Sequence, residues 1–227
     1  MGDTVAVPSP PLQPPGLFDF EQVWVCDGDA VILRDVDVTV PEGGITVIRG
    51  PSGSGKSTLL RLCNRLEIPS RGRVLLRGRD LATLDPVALR RRVGMVFQTP
   101  TPFPGTVLDN LRVAADMDPP AAARLLERVG LPAELLDRDA ATLSGGEAQR
   151  MCLARTLATG CEVLLADEST SSLDPAAARV LEELVAQLAA AGTTVLWVTH
   201  DEAQCERIAT HTLFLDHGRV VGGSLAR

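Results

Sequence analysis

The stretch that most constrains this 227-residue chain is Gly50-Pro51-Ser52-Gly53-Ser54-Gly55-Lys56-Ser57-Thr58. It fits G-x-x-x-x-G-K-[ST], a loop whose backbone N–H groups turn inward on a polyphosphate. That motif needs a strand before it and a helix after it. Ile45-Thr46-Val47-Ile48 is apolar and β-branched, as a buried strand should be, and Thr58-Leu59-Leu60-Arg61-Leu62-Cys63-Asn64 reads as a helix. The helix N-terminus adds partial positive charge to the cradle. In this setting Lys56 reaches the β- and γ-phosphates as a mobile point charge, and Ser57 sets its hydroxyl on Mg2+. Lys56 is also the only lysine in a chain with 22 Lys+Arg. A position that keeps lysine against that bias needs a compact ammonium rather than a planar fork.

The length suits one compact α/β domain, or a core with a small subdomain. Aromatic residues make up 3% of the chain and Tyr is absent, so aliphatic side chains must fill the core. The net charge of −7 argues against broad nucleic-acid binding. The arginines at 71, 73, 77, 79, 90, 91 and 92 leave a local basic patch open, though they read first as solvated faces and partner contacts. The five cysteines (26, 63, 152, 161 and 205) lack metal-type spacing and read as small buried hydrophobes in a reducing cytosol. No apolar run reaches 18 residues, so no spanning segment is expected. Residues 1–16 have neither a basic region nor an apolar core, which argues against a signal peptide; their prolines suggest a poorly ordered lead-in.

Along the chain, Phe18 to Val25 alternates as a strand, Asp27-Gly28-Asp29 turns, and Ala30–Leu33 and Val36–Val40 read as further strands. Together they predict an antiparallel β layer ahead of the phosphate loop. Arg73–Gly78 reads as a short strand, Asp85 as the cap of a helix with Pro86 at its first position, and Val93–Gln98 as a buried strand ending in a polar residue. Thr99–Gly105 is proline-rich loop, and 107–158 carries a helical pattern. Strands return at Val163–Ala166 and Thr194–Val198 with a long helix, Pro175–Ala190, between them. A hairpin, Thr212–Leu215 and Arg219–Val221, turns at His217-Gly218. Alternating strands and helices imply a largely parallel sheet. The expected division is 1–16 lead, 17–98 core with the antiparallel layer, 99–160 helical block and 161–227 the remaining core.

Three further segments carry candidate chemistry. In Leu143-Ser144-Gly145-Gly146-Glu147-Ala148-Gln149-Arg150, Ser144 can cap a helix whose first N–H groups form a second anion-binding terminus; alone, the peptide is equally a flexible helix start. Val163-Leu164-Leu165-Ala166-Asp167-Glu168 is an apolar strand ending in two carboxylates, and strand ends line the ligand crevice of a parallel sheet. With a phosphate loop upstream, Asp167 is read as a Mg2+ partner and Glu168 as the group that takes a proton from the attacking water, rather than as a plain acidic turn. Val198-Thr199-His200-Asp201 repeats the design. A lone histidine is more often structural, and His211 and His217 are read as surface residues; His200 differs by its strand-end position.

This ordered set resembles the ATP-binding subunit of ABC transporters over about Phe18 to Val221. Gly50 to Ser57 is similar to the Walker A loop and Val163 to Asp167 to the Walker B strand. Leu143 to Arg150 is similar to the LSGGQ-type signature, with Glu147 in the place of Gln. Gln98 matches the Q-loop glutamine, Ser171-Ser172-Leu173-Asp174 the D-loop and His200 the switch histidine. The resemblance implies an α/β P-loop NTPase fold: an ABC-type ATPase core with an antiparallel β subdomain and a helical insertion. It implies that two copies pack head to tail, each ATP with its Mg2+ lying between 50–58 of one copy and Ser144, Gly145, Gly146, Glu147 and Asp174 of the other. Lys56, Gln98, Glu168 and His200 would be the catalytic set, and Ser57, Gln98 and Asp167 the metal partners. A separate membrane permease is the implied partner, with the subunit on the cytoplasmic face of a bacterial membrane and no direct contact with nucleic acid.

Two positions depart from the family pattern. Asp27 stands where an aromatic residue usually stacks on adenine, with Trp24 nearby, and Ser169 stands where Pro is common. The 97–111 loop is similar to phosphate-import ATPases and to a small group linked to iron or metal export; Val195–Asp201 and the short chain lean toward the second. From the short tail after the last strand no C-terminal regulatory domain is expected, and the Arg, Ala and Pro usage suggests a GC-rich bacterial source. Two other readings compete. An ABC-type ATPase working on DNA or the ribosome is opposed by the acidic charge and by the lack of a coiled-coil insertion or tandem cassette. A small-molecule P-loop kinase is opposed by the signature peptide and His200.

Overall fold

The computed structural model describes residues 16–171 and 173–225. Residues 1–15 of the proline-rich lead, and Ser172 of the D-loop segment, lie outside the described residues. In chain order the strands are β1 (Phe18–Asp27), β2 (Ala30–Val40), β3 (Ile45–Arg49), β4 (Arg71–Leu76), β5 (Arg79–Asp80), β6 (Val93–Val96), β7 (Val163–Asp167), β8 (Thr194–Val198), β9 (His211–Asp216) and β10 (Arg219–Leu225). The α-helices are α1 (Lys56–Cys63), α2 (Pro86–Arg92), α3 (Val107–Arg112), α4 (Pro119–Arg128), α5 (Gly145–Ala158), α6 (Pro175–Ala190) and α7 (Glu202–Ile208).

Two sheets result. An antiparallel one runs β2-β1-β4-β5, and a six-stranded one runs β10-β9-β3-β8-β7-β6. In the second, β9, β3, β8, β7 and β6 pair in parallel and only β10 is antiparallel. The phosphate-loop strand β3 is therefore central, hydrogen-bonded to β8 on one edge and β9 on the other.

Strand alternation sorts the core into two halves, one on each face of this sheet. Val47, Leu164, Ala166, Val195 and Trp197 point into a core closed by α3 to α7. Ile48, Val163, Leu165, Leu196 and Val198 point into the other, closed by α1 and the antiparallel sheet with Phe18, Phe20 and Leu33. Strands β7 and β8 are buried at every residue, which is why they read as unbroken apolar runs rather than as alternation.

Several elements differ from the sequence reading. β2 runs unbroken through Arg34-Asp35, where the strand absorbs an irregularity with Asp35 at φ 51. α1 begins at Lys56 rather than Thr58, because Gly55 takes the left-handed cap position at φ 99. β6 stops at Val96, leaving Phe97 and Gln98 in the loop. The 107–158 block is three α-helices rather than a continuous pattern, broken at 113–118, just before Pro119, and at 129–144, where two short 3-10 turns lie. Cys26 is exposed, unlike the other four cysteines. His211 is half-buried on β9, and burial pushes its pKa down; His217 is exposed as expected.

The β9–β10 turn closes over the phosphate loop. Gly218 N–H donates to Ser54 O at 3.2 Å, and Arg34 N–H donates to Gly218 O at 2.8 Å. The fit requires glycine at Gly50, where φ is 146 and a Cβ would run into Leu215 O.

Candidate active site

Parallel pairing brings the C-terminal ends of β3, β7 and β8 side by side, and the sequence-selected residues collect there. A cleft of about 310 Å³ is lined by Ser52, Gly53, Gly55, Lys56, Ser57 and Thr58, with Gln98 and Glu168 facing them and Ile32 as an apolar wall. Gly53, at φ 76, has open space where a Cβ would stand, so the loop backbone is accessible from the cleft. Lys56 is 7% exposed, and its Nζ donates to the carbonyls of Gly50 at 2.9 Å and Pro51 at 2.7 Å. The ammonium is thus held at the loop by its own backbone. The Ser54 hydroxyl is buried without a partner in the same loop.

The next shell is polar and tightly joined. Ser57 Oγ donates to Asp167 Oδ1 at 2.8 Å, tying the start of α1 to the end of β7. Glu168 follows in the left-handed region at φ 46, a conformation that costs free energy for a residue with a Cβ and concentrates at functional sites. Its N–H donates to Val198 O, and both the N–H and the Oγ of Ser171 donate to its carbonyl. Gln98 Nε2 donates to Glu168 Oε2 at 3.0 Å, and His200 Nδ1 lies 3.8 Å from the same oxygen. Gln98, Glu168 and His200, far apart in sequence, therefore converge on one carboxylate oxygen.

The signature segment lies elsewhere. Ser144 caps α5 in a two-way box: its Oγ accepts the Glu147 N–H at 3.3 Å, and Glu147 Oε2 accepts the Ser144 N–H at 2.8 Å. Those hydrogen bonds from Ser144, with Arg138 nearby, hold the Glu147 carboxyl below its ordinary range. Asp174 caps α6, accepting the N–H groups of Ala177 and Ala176, which lower its pKa likewise. None of Ser144, Gly145, Gly146, Glu147 or Asp174 lines the phosphate-loop cleft of the same chain. Asp27 is exposed at the end of β1. Trp24 pairs in register with Arg71 of β4 and is absent from the cleft wall, where Ile32 stands instead.

Four contributions escaped the sequence reading, Ile32 of the cleft wall among them. Gln149 of α5 is fully buried and its Nε2 donates to Phe97 O at 2.9 Å, linking the signature helix to the Q-loop. Asn110 accepts the Phe103 N–H and donates to the carbonyls of Phe103 and Thr106, folding the proline-rich loop onto α3. Arg155 donates to Asn110 Oδ1 and Thr101 O, and its guanidinium lies 4.2 Å from the Phe103 ring centre. Ile32 carried one signal, an apolar residue two strands ahead of the loop. The Gln149 and Arg155 contacts join segments about 50 residues apart, and no local pattern announces them.

A parallel sheet with a glycine-rich phosphate loop at its central strand, and carboxylates at the neighbouring strand ends, defines a P-loop nucleoside triphosphatase. Residues 33–171 match the family model described as ABC transporter. Protein STAR1 from Oryza sativa subsp. japonica is 46% identical over 196 residues, which is 84% of this chain and 57% of STAR1. The chain thus spans little more than half of that relative. Phosphate import ATP-binding protein PstB 3 from Natronomonas pharaonis is 41% identical over 210 residues, covering 86% of this chain and 76% of PstB 3. The dimeric post-hydrolysis state of the ATP-binding cassette MJ0796, bound to ADP and Pi, superposes with a TM-score of 0.80 at 28% identity, over 92% of this chain and 99% of that one. The chain belongs to the ABC transporter family, as an ATP-binding subunit that hydrolyses ATP. Among the described residues no helix is long and apolar enough to cross a membrane.

Proposed function

We propose that this subunit powers passage of a small inorganic ion, such as phosphate or a metal, through a separate membrane permease on whose cytoplasmic face it sits. Two copies pack head to tail. Each ATP lies between Gly50–Thr58 of one copy and Ser144, Gly145, Gly146 and Glu147 of the other, with Asp174 at the junction. The separation of these two anion-binding segments within one chain supports that reading, because a two-fold pair satisfies both at once. The names of the relatives support the choice of solute class: PstB 3 is a phosphate-import protein.

The Ser57 hydroxyl, the Asp167 carboxylate and the Gln98 amide oxygen are hard oxygen donors of the kind Mg2+ takes, and the first two already stand 2.8 Å apart. Mg2+ held by these residues would supply positive charge against the phosphates of the nucleotide. Lys56 moves its ammonium from the loop carbonyls to the γ-phosphate. Glu168 takes the proton of the attacking water, with its carboxylate aimed by Gln98 and His200. Backbone N–H groups from both copies hold the transferred group in line. Hydrolysis cuts the γ-phosphate free of ADP; once that phosphate leaves, the charge that joins the copies is gone and the pair opens.

The observation that carries this reading is the 3.0 Å contact between Gln98 and Glu168, the residues to which it gives nucleotide sensing and proton acceptance. Glu168→Gln tests it. The variant is expected to bind ATP, lose turnover by about 100-fold or more, and run as a dimer in gel filtration with Mg-ATP. Normal turnover, or a monomer with ATP and permease both supplied, overturns it.

A further inference from the structure

We propose that Gln204 is a positioning residue for hydrolysis: it bolts the turn that carries Glu168 to the segment that carries His200. The inference rests on the role just assigned to Glu168.

Beside the active site lies a cavity of about 400 Å³ whose walls include Glu168, Thr170, Glu182, His200, Gln204 and Arg207. Gln204 is 3% exposed and belongs to α7, four residues beyond His200. Its Oε1 accepts the indole N–H of Trp197 at 3.2 Å. Its Nε2 donates to Glu182 Oε1 at 2.9 Å and to Thr170 Oγ1 at 3.1 Å. Glu182 of α6 is in turn gripped by both Nε and a terminal nitrogen of Arg207 at 2.9 and 2.8 Å. Three side chains, from β8, the turn after β7 and α6, thus meet at the one amide that Gln204 of α7 supplies, with Arg207 behind Glu182.

The chemistry at this point demands an amide. An indole N–H only donates, and an ionised carboxylate only accepts. Arg207 holds the Glu182 carboxyl below its ordinary range, which keeps it an acceptor. The group between Trp197 and Glu182 must therefore accept at one end and donate at the other. Leucine would leave buried polar groups unmatched, and glutamate would face Glu182 with a second carboxylate.

The bolt acts where the backbone is strained. Glu168 sits at φ 46, and Thr170 follows it by two residues. Such a conformation persists when its surroundings over-determine it. Fixing Thr170 to Gln204 fixes the Glu168 turn against the start of α7 and so against His200, whose Nδ1 lies 3.8 Å from the Glu168 carboxylate. Gln204 does not line the phosphate-loop cleft, so its loss should misplace the carboxylate without weakening ATP binding.

The test is steady-state hydrolysis by Gln204→Leu, Gln204→Glu, Thr170→Val and the exchange Glu182→Gln/Gln204→Glu. All are made in a Trp24→Phe background, so that Trp197 alone emits. The two Gln204 single variants should lose about 10- to 100-fold in kcat with KM for ATP within about twofold. Thr170→Val, the gentlest change, should lose kcat by a smaller factor with KM again unmoved. The exchange variant should regain part of kcat, because amide and carboxylate trade places, and should return the Trp197 emission that the single variants shift. Unchanged kcat in the folded variants, while Glu168→Gln is inactive, overturns the bolt and spares the role of Glu168. A rise in KM at constant kcat overturns it as well. Turnover by Glu168→Gln removes the base and the bolt together.

Discussion

At the residue scale, what could be read from the sequence was whatever sits within one short segment. The phosphate loop, the paired carboxylates and the Ser144 cap were legible because their partners lie within a few residues. Ile32, Gln149 and Gln204 were not, because each gains meaning only from a partner brought in by the sheet. The adenine position shows both sides. The sequence pointed to Asp27 as a departure and left Trp24 open; the fold sets Trp24 opposite Arg71 and Ile32 on the cleft. An aliphatic wall gives less than a stacked ring. Asp27→Tyr is therefore expected to tighten ATP binding by about 1 kcal/mol, roughly fivefold in Kd. A fluorescence titration with ATP reads it, and no gain would show that the ring cannot reach the base.

At the scale of elements, the buried strands were clear because β3, β7 and β8 are apolar on both faces. The helical block was harder. Its breaks at Asp118-Pro119 and after Val129 are written in prolines and glycines, yet apolar spacing continued across them and masked the turns. The α6–α7 contact was invisible from sequence, since Glu182 and Arg207 stand on separate helices. It has a pH signature. Arg207 holds Glu182 below the usual carboxylate pKa of about 4.3. A lowered folded value means the pair adds stability above that pH and loses it as pH falls through the folded pKa. Urea unfolding should find Glu182→Gln less stable than the parent at pH 7, with the gap narrowing as the pH falls below the ordinary carboxylate range. A gap independent of pH would show that the carboxylate adds no charge-dependent stability.

For the whole molecule, the layout of one subunit makes a demand on two. The phosphate loop and the signature helix lie apart in one chain, so head-to-tail packing would pair each with the other copy's half. Complementation distinguishes that from a site closed within one chain. Lys56→Ala removes the ammonium. Gly145→Asp sets a carboxylate where phosphate is expected; its Cβ meets nothing within 4 Å, and an acid suits a helix's first turn. Each variant alone should be inactive, while mixed and reassembled protein should recover ATPase activity, because one of the two sites in a mixed dimer is intact. No recovery in verified mixed dimers would place both halves of the site in one chain.

The order of strands also bears on how this protein is made. β3 leaves the ribosome early, yet the strands that pair with its two edges begin at Thr194 and His211, and the turn that latches onto Ser54 arrives with Gly218. Pairings so distant along the chain cannot form until most of it has been synthesised. A half-translated copy therefore carries the glycine-rich sequence without the shape that grips a nucleotide.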